Sequence, residues 1–271
     1  MTRPIVTEYH ITTEYPLAEP IRIAHVSDLH ERGASDILEL LRDAQPDIIA
    51  VTGDTYERYD NRPQYDFENK PVKKLIITSI HNMNSLLRRF ESEDKMAITE
   101  NADSFLRGAA QIAPVYMSLG NHEQMLAERD LDFLRDTGIH LLDNDSTEAE
   151  IRGQKLLIGG MSTWDFEDFI AGFAAMKGFK LLLCHHPERF EEFVKDTDIA
   201  LTLSGHTHGG QLRIGRKGRG FFVPGQGICG RYAHGSFFGG RLIVSAGCSN
   251  TVAFPRMFNP RELVVVDLKG N

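Results

Sequence analysis

Short apolar runs rich in β-branched residues recur along the chain, with amphipathic stretches of helical period between them. The runs are Ile21–Ser27, Asp47–Thr52, Pro114–Leu119, Lys155–Gly160, Phe179–Cys184 and Ile199–Ser204. This alternation predicts an α/β protein. Helices are predicted at Ser35–Ala44, Glu123–Thr137, Asp165–Met176 and Glu188–Lys195, with Ser35 as N-cap of the first and Gly138 closing the second. Residues Ile5 to Thr12 alternate as a strand does. After Gly209 the helical period disappears, and strand-like runs follow at Arg241–Ser245 and Glu262–Leu268. No linker separates this β-rich third from the rest, so one domain is expected over 1–271.

One segment exceeds a minimal α/β unit, a helical insert at 56–111. Its opening, Tyr56–Lys70, reads as loop. A stripe of Ile76, Ile80, Met83, Leu87 and Phe90 follows, then one of Ile98, Ala102, Phe105, Ala109 and Ile112, both at helical spacing. Two readings stand: a helix pair packed on the core, or a helical lip over the active site.

The 30 basic and 38 acidic side chains give a net charge of −8, which argues against nucleic-acid binding because that rests on phosphate neutralisation by Lys and Arg. Three cysteines, none in a C-x-x-C pair, suit a reducing compartment. The Met1-Thr-Arg-Pro start leads into no apolar signal region, and no apolar run approaches the roughly 18 residues of a membrane span. A cytoplasmic protein is expected, with peripheral membrane contact an open alternative.

Eleven histidines matter only if they cluster, and six do. Five strand runs end in polar groups: Asp28-Leu-His30, Gly53-Asp54, Gly120-Asn121-His122-Glu123, His185-His186-Pro187 and Gly205-His206-Thr207-His208-Gly209. Carboxyl ends of strands face the ligand crevice of an α/β sheet, so the five groups should converge. Their nitrogen and oxygen donors suit a first-row metal and not a thiolate site.

This ordered set resembles the calcineurin-like metallophosphoesterase signature D-x-H, G-D, G-N-H-[DE], H-x-P and G-H-x-H, from Asp28 to His208. The run Gly205–Gln211 and the tail Val244-Ser-Ala-Gly247 with Pro260-Arg-Glu-Leu263 resemble the bacterial YkuE/YaeI-like phosphodiesterase branch. The resemblance implies a four-layer α/β/β/α sandwich of two mixed sheets flanked by helices. It implies two divalent metal ions, of Mn, Fe or Zn. Asp28, His30 and His208 would hold one, and Asn121, His185 and His206 the other, with Asp54 bridging them. Gly53 would let the backbone turn sharply to present Asp54. The implied reaction is in-line attack of a metal-bridging hydroxide on a phosphodiester or pyrophosphate bond, in a lipid- or nucleotide-linked substrate. A phosphomonoesterase, a protein phosphatase and a non-catalytic scaffold of the same fold are the alternatives.

On this reading His122 faces the substrate, as transition-state stabiliser or proton donor to the leaving oxygen, and Glu123 orients it. His186 is a packing residue or a substrate contact, and His234 a residue that could reach the substrate. His25 is expected in the core, and His10, His81 and His140 have no motif partners. The basic run Arg213, Arg216, Lys217 and Arg219, beside Phe221, Phe222 and Val223, reads as a solvated hairpin or a cationic rim for anionic substrate or lipid headgroups.

Overall fold

The computed structural model describes residues 3–58, 100–123, 125–213, 219–250 and 256–271. Two mixed six-stranded sheets form its centre. The first comprises β1 (Ile5–Thr13), β2 (Ile21–Val26), β3 (Ile48–Thr52), β4 (Val115–Ser118), β5 (His140–Leu142) and β14 (Glu262–Gly270), ordered β1-β14-β2-β3-β4-β5. The second comprises β6 (Asp145–Ile151), β7 (Gln154–Met161), β8 (Phe179–Cys184), β9 (Leu201–Ser204), β12 (Gly235–Phe237) and β13 (Leu242–Val244), ordered β12-β13-β9-β8-β7-β6. A small hairpin of β10 (Phe222–Val223) and β11 (Gly227–Ile228) stands apart. Strands β2 to β5 run parallel, as do β7, β8, β9 and β13.

Period-2 alternation divides the core into three layers. Ile23, Ile48 and Ala50 face Leu181, Leu183, Leu201 and Leu203 between the sheets. The alternate residues Ala24, Val26, Ile49 and Val51 face outward onto helices α1 (Ser35–Ala44), α2 (Asn101–Ala110) and α3 (Glu128–Asp136). Leu182 and Val244 of the second sheet pack on α4 (Glu167–Ala175) through Ile170 and Phe173. The result is the expected four-layer sandwich. Among the described residues no helix is long and apolar enough to cross a membrane.

Several local expectations change. Ser35 is the first helical residue, and Ala34 holds the cap position without a side-chain bond. The helix expected from Glu123 begins at Glu128, where Asp130 Oδ2 accepts the Ala127 N–H at 3.0 Å. Gly138 does close it, at φ +74°. The expected helix at Glu188–Lys195 is a single π-turn, Phe190–Val194. The Arg241 guanidinium donates to the carbonyls of Lys195 (2.8 Å), Thr197 (2.7 Å) and Ile199 (3.0 Å), replacing the partners a longer helix would supply. Strands β5 and β6 were not expected; β6 buries only Ala149 and Ile151 and lies at a sheet edge. The first stripe of the insert and Ile98 lie outside the described residues. Ala102, Phe105 and Ala109 of the second stripe lie on α2, buried in the layer that holds Ile37 and Leu41 of α1, and Ile112 follows the helix end.

Candidate metal centre

The five polar groups do converge, but from two sheets. Loops after β2, β3 and β4 supply Asp28, His30, Asp54 and Asn121, and loops after β8 and β9 supply His185, His206 and His208. The sheets meet at this end: His185 Nδ1 donates to the Thr52 carbonyl at 2.7 Å, between residues 133 apart in sequence.

The backbone is strained where these side chains leave it. Asp28, His30, Asp54, His206 and His208 all have positive φ, between 47° and 69°. Left-handed backbone costs a non-glycine residue about 1–3 kcal/mol, and such residues cluster at functional sites. Gly53, at φ +82°, makes the turn that presents Asp54. Gly120 lets the next loop close on it, since a Cβ there would collide with the Asp54 carboxylate.

Donor geometry tests the fit to metal. With Nδ1 of His185 donating to Thr52, a neutral ring turns its Nε2 lone pair inward. That nitrogen lies 3.1 Å from Asp54 Oδ2, 3.1 Å from Asn121 Oδ1 and 3.2 Å from His206 Nδ1. Donors about 2.1 Å from one ion, at angles of about 90–120°, lie about 3.0–3.6 Å apart. Lone pairs facing one another in a dry site need a cation between them. A proton can serve: burial works against charging His185, yet Asp54, Asp28 and the Thr52 carbonyl raise its pKa to about 9.

The neighbouring group repeats the pattern. His30 Nδ1 is 2.6 Å from Glu57 Oε1, and its Nε2 is buried with no hydrogen-bond partner among the described residues. That nitrogen faces Asp54 Oδ2 at 3.7 Å and Asp28 Oδ1 at 3.9 Å, while His208 Nε2 lies 3.6 Å from Asp28 Oδ1. Asp28, His30 and His208 thus form one set with metal-ligand spacing, and Asp54, His185 and His206 another. The donor chemistry fits two divalent ions sharing Asp54.

His122 stands at the mouth, its side chain 19% exposed, with Nε2 3.9 Å from Asp54 Oδ2. Its Nδ1 is 2.9 Å from Glu57 Oε2. Burial disfavours its charge, but Asp54 and then Glu57 outweigh that and raise its pKa to about 9. Cations bound at Asp54 would draw off that support and bring the value down. Glu57 itself is held well below the carboxylate range by hydrogen bonds from His122 and His30, against the effect of burial.

Glu57 therefore takes the place expected of Glu123. The only signal for it in the sequence is an acidic residue three positions past Asp54, inside a stretch that reads as loop. Glu123 spends both oxygens on backbone: Oε2 accepts from Asp54 (2.9 Å) and Gly120 (2.7 Å), and Oε1 from Thr55 (2.7 Å) and Tyr56 (3.0 Å). It is the buried anchor of the loop that carries Asp54 and Glu57.

Other expected residues separate. His25 is buried in the strand and bonded through Nε2 to Thr52 Oγ1 at 2.8 Å. His186 is buried beside His206, with ring centroids 4.2 Å apart. Arg213 lies 3.6 Å from Glu262 Oε2, at the start of β14. His234 is beside both; burial and then Arg213 lower its pKa to about 4. Among the described residues His234 belongs to no ligand-spaced group. Arg216 and Lys217 lie outside the described residues. A residue the motifs did not suggest, Arg256, brings a half-buried guanidinium within 3.3 Å of His208 Nδ1.

The calcineurin-like phosphoesterase family model matches residues 21–210. An uncharacterized metallophosphoesterase of Aquifex aeolicus is 27% identical, over 98% of this chain and 92% of its own length. Phosphodiesterase YaeI of Escherichia coli is 25% identical, over 73% of this chain and 64% of its own. A solved 5′-nucleotidase precursor from Thermus thermophilus superposes with a TM-score of 0.47 at 12% identity, over 84% of this chain and 49% of that longer one. The family match extends from the first residue of β2 through the turn that carries His208, and the chain belongs to the calcineurin-like phosphoesterase family.

Proposed function

We propose that the protein is a dinuclear metal-dependent phosphohydrolase that cleaves a phosphodiester or pyrophosphate bond. The observation that carries this reading is the ring of inward lone pairs about Nε2 of His185, with its counterpart at His30. Asp28, His30 and His208 would hold one ion, and Asn121, His185 and His206 the other, with Asp54 shared. Bound there, two divalent ions supply a nucleophile from water at neutral pH and offset charge on the phosphoryl oxygens.

The chain's own residues do the rest. Asp54, whose carboxylate His185 and His122 keep ionised against burial, remains available as a shared anion. Thr52 and Glu57 fix the tautomers of His185 and His30, so that each presents Nε2. Glu57 likewise holds the Nδ1 proton of His122, which leaves Nε2 to carry a proton toward the leaving oxygen.

A lipid-linked substrate and peripheral membrane contact are favoured by the apolar rim beside the His208 turn. Phe221, Met257 and Phe258 are 48%, 41% and 82% exposed. Phe221 N donates to the Leu212 carbonyl and Met257 N to that of Gln211, which ties both to the turn. The name of the YaeI relative favours a diester over a monoester.

The deciding experiment is a parallel assay on a phosphodiester, a phosphomonoester and a nucleotide-diphospho lipid with Mn²⁺ supplied. Faster turnover of the diester or the lipid is expected. Preference for the monoester overturns the substrate reading, and absence of bound metal after supplementation overturns the enzyme reading in favour of a scaffold.

A further inference from the structure

We propose a third cation site, formed by His186, Glu188 and His206, on the edge of the His206 ring turned away from the dinuclear centre. It rests on that centre in one respect only, the sharing of His206.

One ligand atom from each of the three side chains lies within 4.8 Å of the other two. His206 turns Nδ1 to His185, and its other nitrogen, Nε2, is buried with no hydrogen-bond partner among the described residues. Glu188 Oε2 is buried and unpartnered in the same sense. Leaving a buried polar atom unpaired costs about 1–3 kcal/mol, and here a donor set has two such atoms. His186 Nδ1 lies 3.2 Å from Glu188 Oε1, the spacing found about His185. Nε2 of His186 lies 3.4 Å from Thr163 Oγ1, so the tautomer that donates there presents an Nδ1 lone pair to a cation beside the carboxylate.

Two imidazoles and one carboxylate, with a position left open, suit Zn²⁺ or a similar first-row ion and not Mg²⁺ or Ca²⁺, which prefer all-oxygen shells. On binding, the Nε2–H bond of His206 breaks and its proton passes to buffer, while an Nε2–metal bond forms. His206 then bridges two cations as an imidazolate. The open position of the third ion would take water or a phosphoryl oxygen.

The test is metal content of the full chain, stripped with chelator, dialysed against Zn²⁺ and washed, with the ions located by anomalous diffraction. Three equivalents are expected in the wild type. Two are expected in Glu188→Gln and in His186→Asn, each checked by circular dichroism for an unchanged fold. Two equivalents in the wild type, or three in both variants, overturn the third site and leave the dinuclear reading intact. Fewer than two at Asp28–His208 and Asn121–His206 overturn the dinuclear reading instead. Two in the wild type with weaker binding in Glu188→Gln make Glu188 a hydrogen-bond partner of His206, which also overturns the third site.

Discussion

The carboxylate of Glu57 lies 2.9 Å from Nδ1 of His122, and through its other oxygen it reaches His30, so that one side chain orients a metal-ligand candidate and a proton-donor candidate together. A glutamine in the same pose sets its NH2 group, a donor, against one of the two imidazole N–H groups. Glu57→Gln should lower kcat by about 10–100-fold, the usual cost of losing such a partner, and weaken the ion on the His30 side. Steady-state kinetics with metal analysis checks this; unchanged kcat and metal content would remove Glu57 from the site.

His122 stands at the mouth of the site, 3.9 Å from the shared Asp54 carboxylate, and its side chain opens to solvent. His122→Asn should therefore keep both metal equivalents and lose about 10²–10⁴-fold in kcat, the range for a lost general acid. Wild-type turnover in a metal-replete His122→Asn enzyme would sink its assignment.

Glu123 accepts four backbone N–H groups in a buried loop. Glu123→Ala strands them, at about 1–3 kcal/mol for each that finds no water. A loss of at least about 3 kcal/mol in urea unfolding is expected, with poor metal retention because the loop carries Asp54. A change below about 1 kcal/mol would mean the loop is held otherwise.

His25 is fully buried, and burial lowers its pKa from 6.5 to about 3. Between these values the unfolded chain binds a proton that the native chain does not, so stability falls as pH drops from 6.5 toward 3. The limiting slope is about 1.4 kcal/mol per pH unit. Gln does not titrate and can keep a bond to Thr52, so His25→Gln should flatten the fall in Tm across this window. Parallel curves for the two proteins would contradict the assignment.

Metal binding should stabilise the fold, since the converging lone pairs exist only in the native state. At 100 times Kd one ion adds about 2.7 kcal/mol, or about 5–10 °C in Tm for a chain of this size. Mn²⁺ or Zn²⁺ should raise the wild-type Tm by that order and that of Asp54→Asn by much less. Equal shifts in a thermal melt would place the ions elsewhere.

The sequence by itself determined which atoms could hold metal. Asp28, His30, Asp54, Asn121, His185, His206 and His208 are legible because each follows an apolar run, and both periodicity and the polar residue after a strand are local properties. The glycine before Asp54 is legible for the same reason. Tertiary structure decided the pairings. Thr52 and His185 belong to different sheets, and only the packing of Ile48 and Ala50 against Leu181 and Leu183 brings their ends together. Glu57 and Glu123 are both acidic residues near the motifs, and nothing local says which meets an imidazole and which meets backbone. That choice depends on where the loop after β4 crosses the loop after β3. The polar edge strand β6 and the π-turn at Phe190–Val194 escaped for a related reason, since their partners, β7 and the Arg241 guanidinium, are contributed by other parts of the fold. His186 and Glu188 acquire their meaning in the same way, because the ring they flank arrives from another strand.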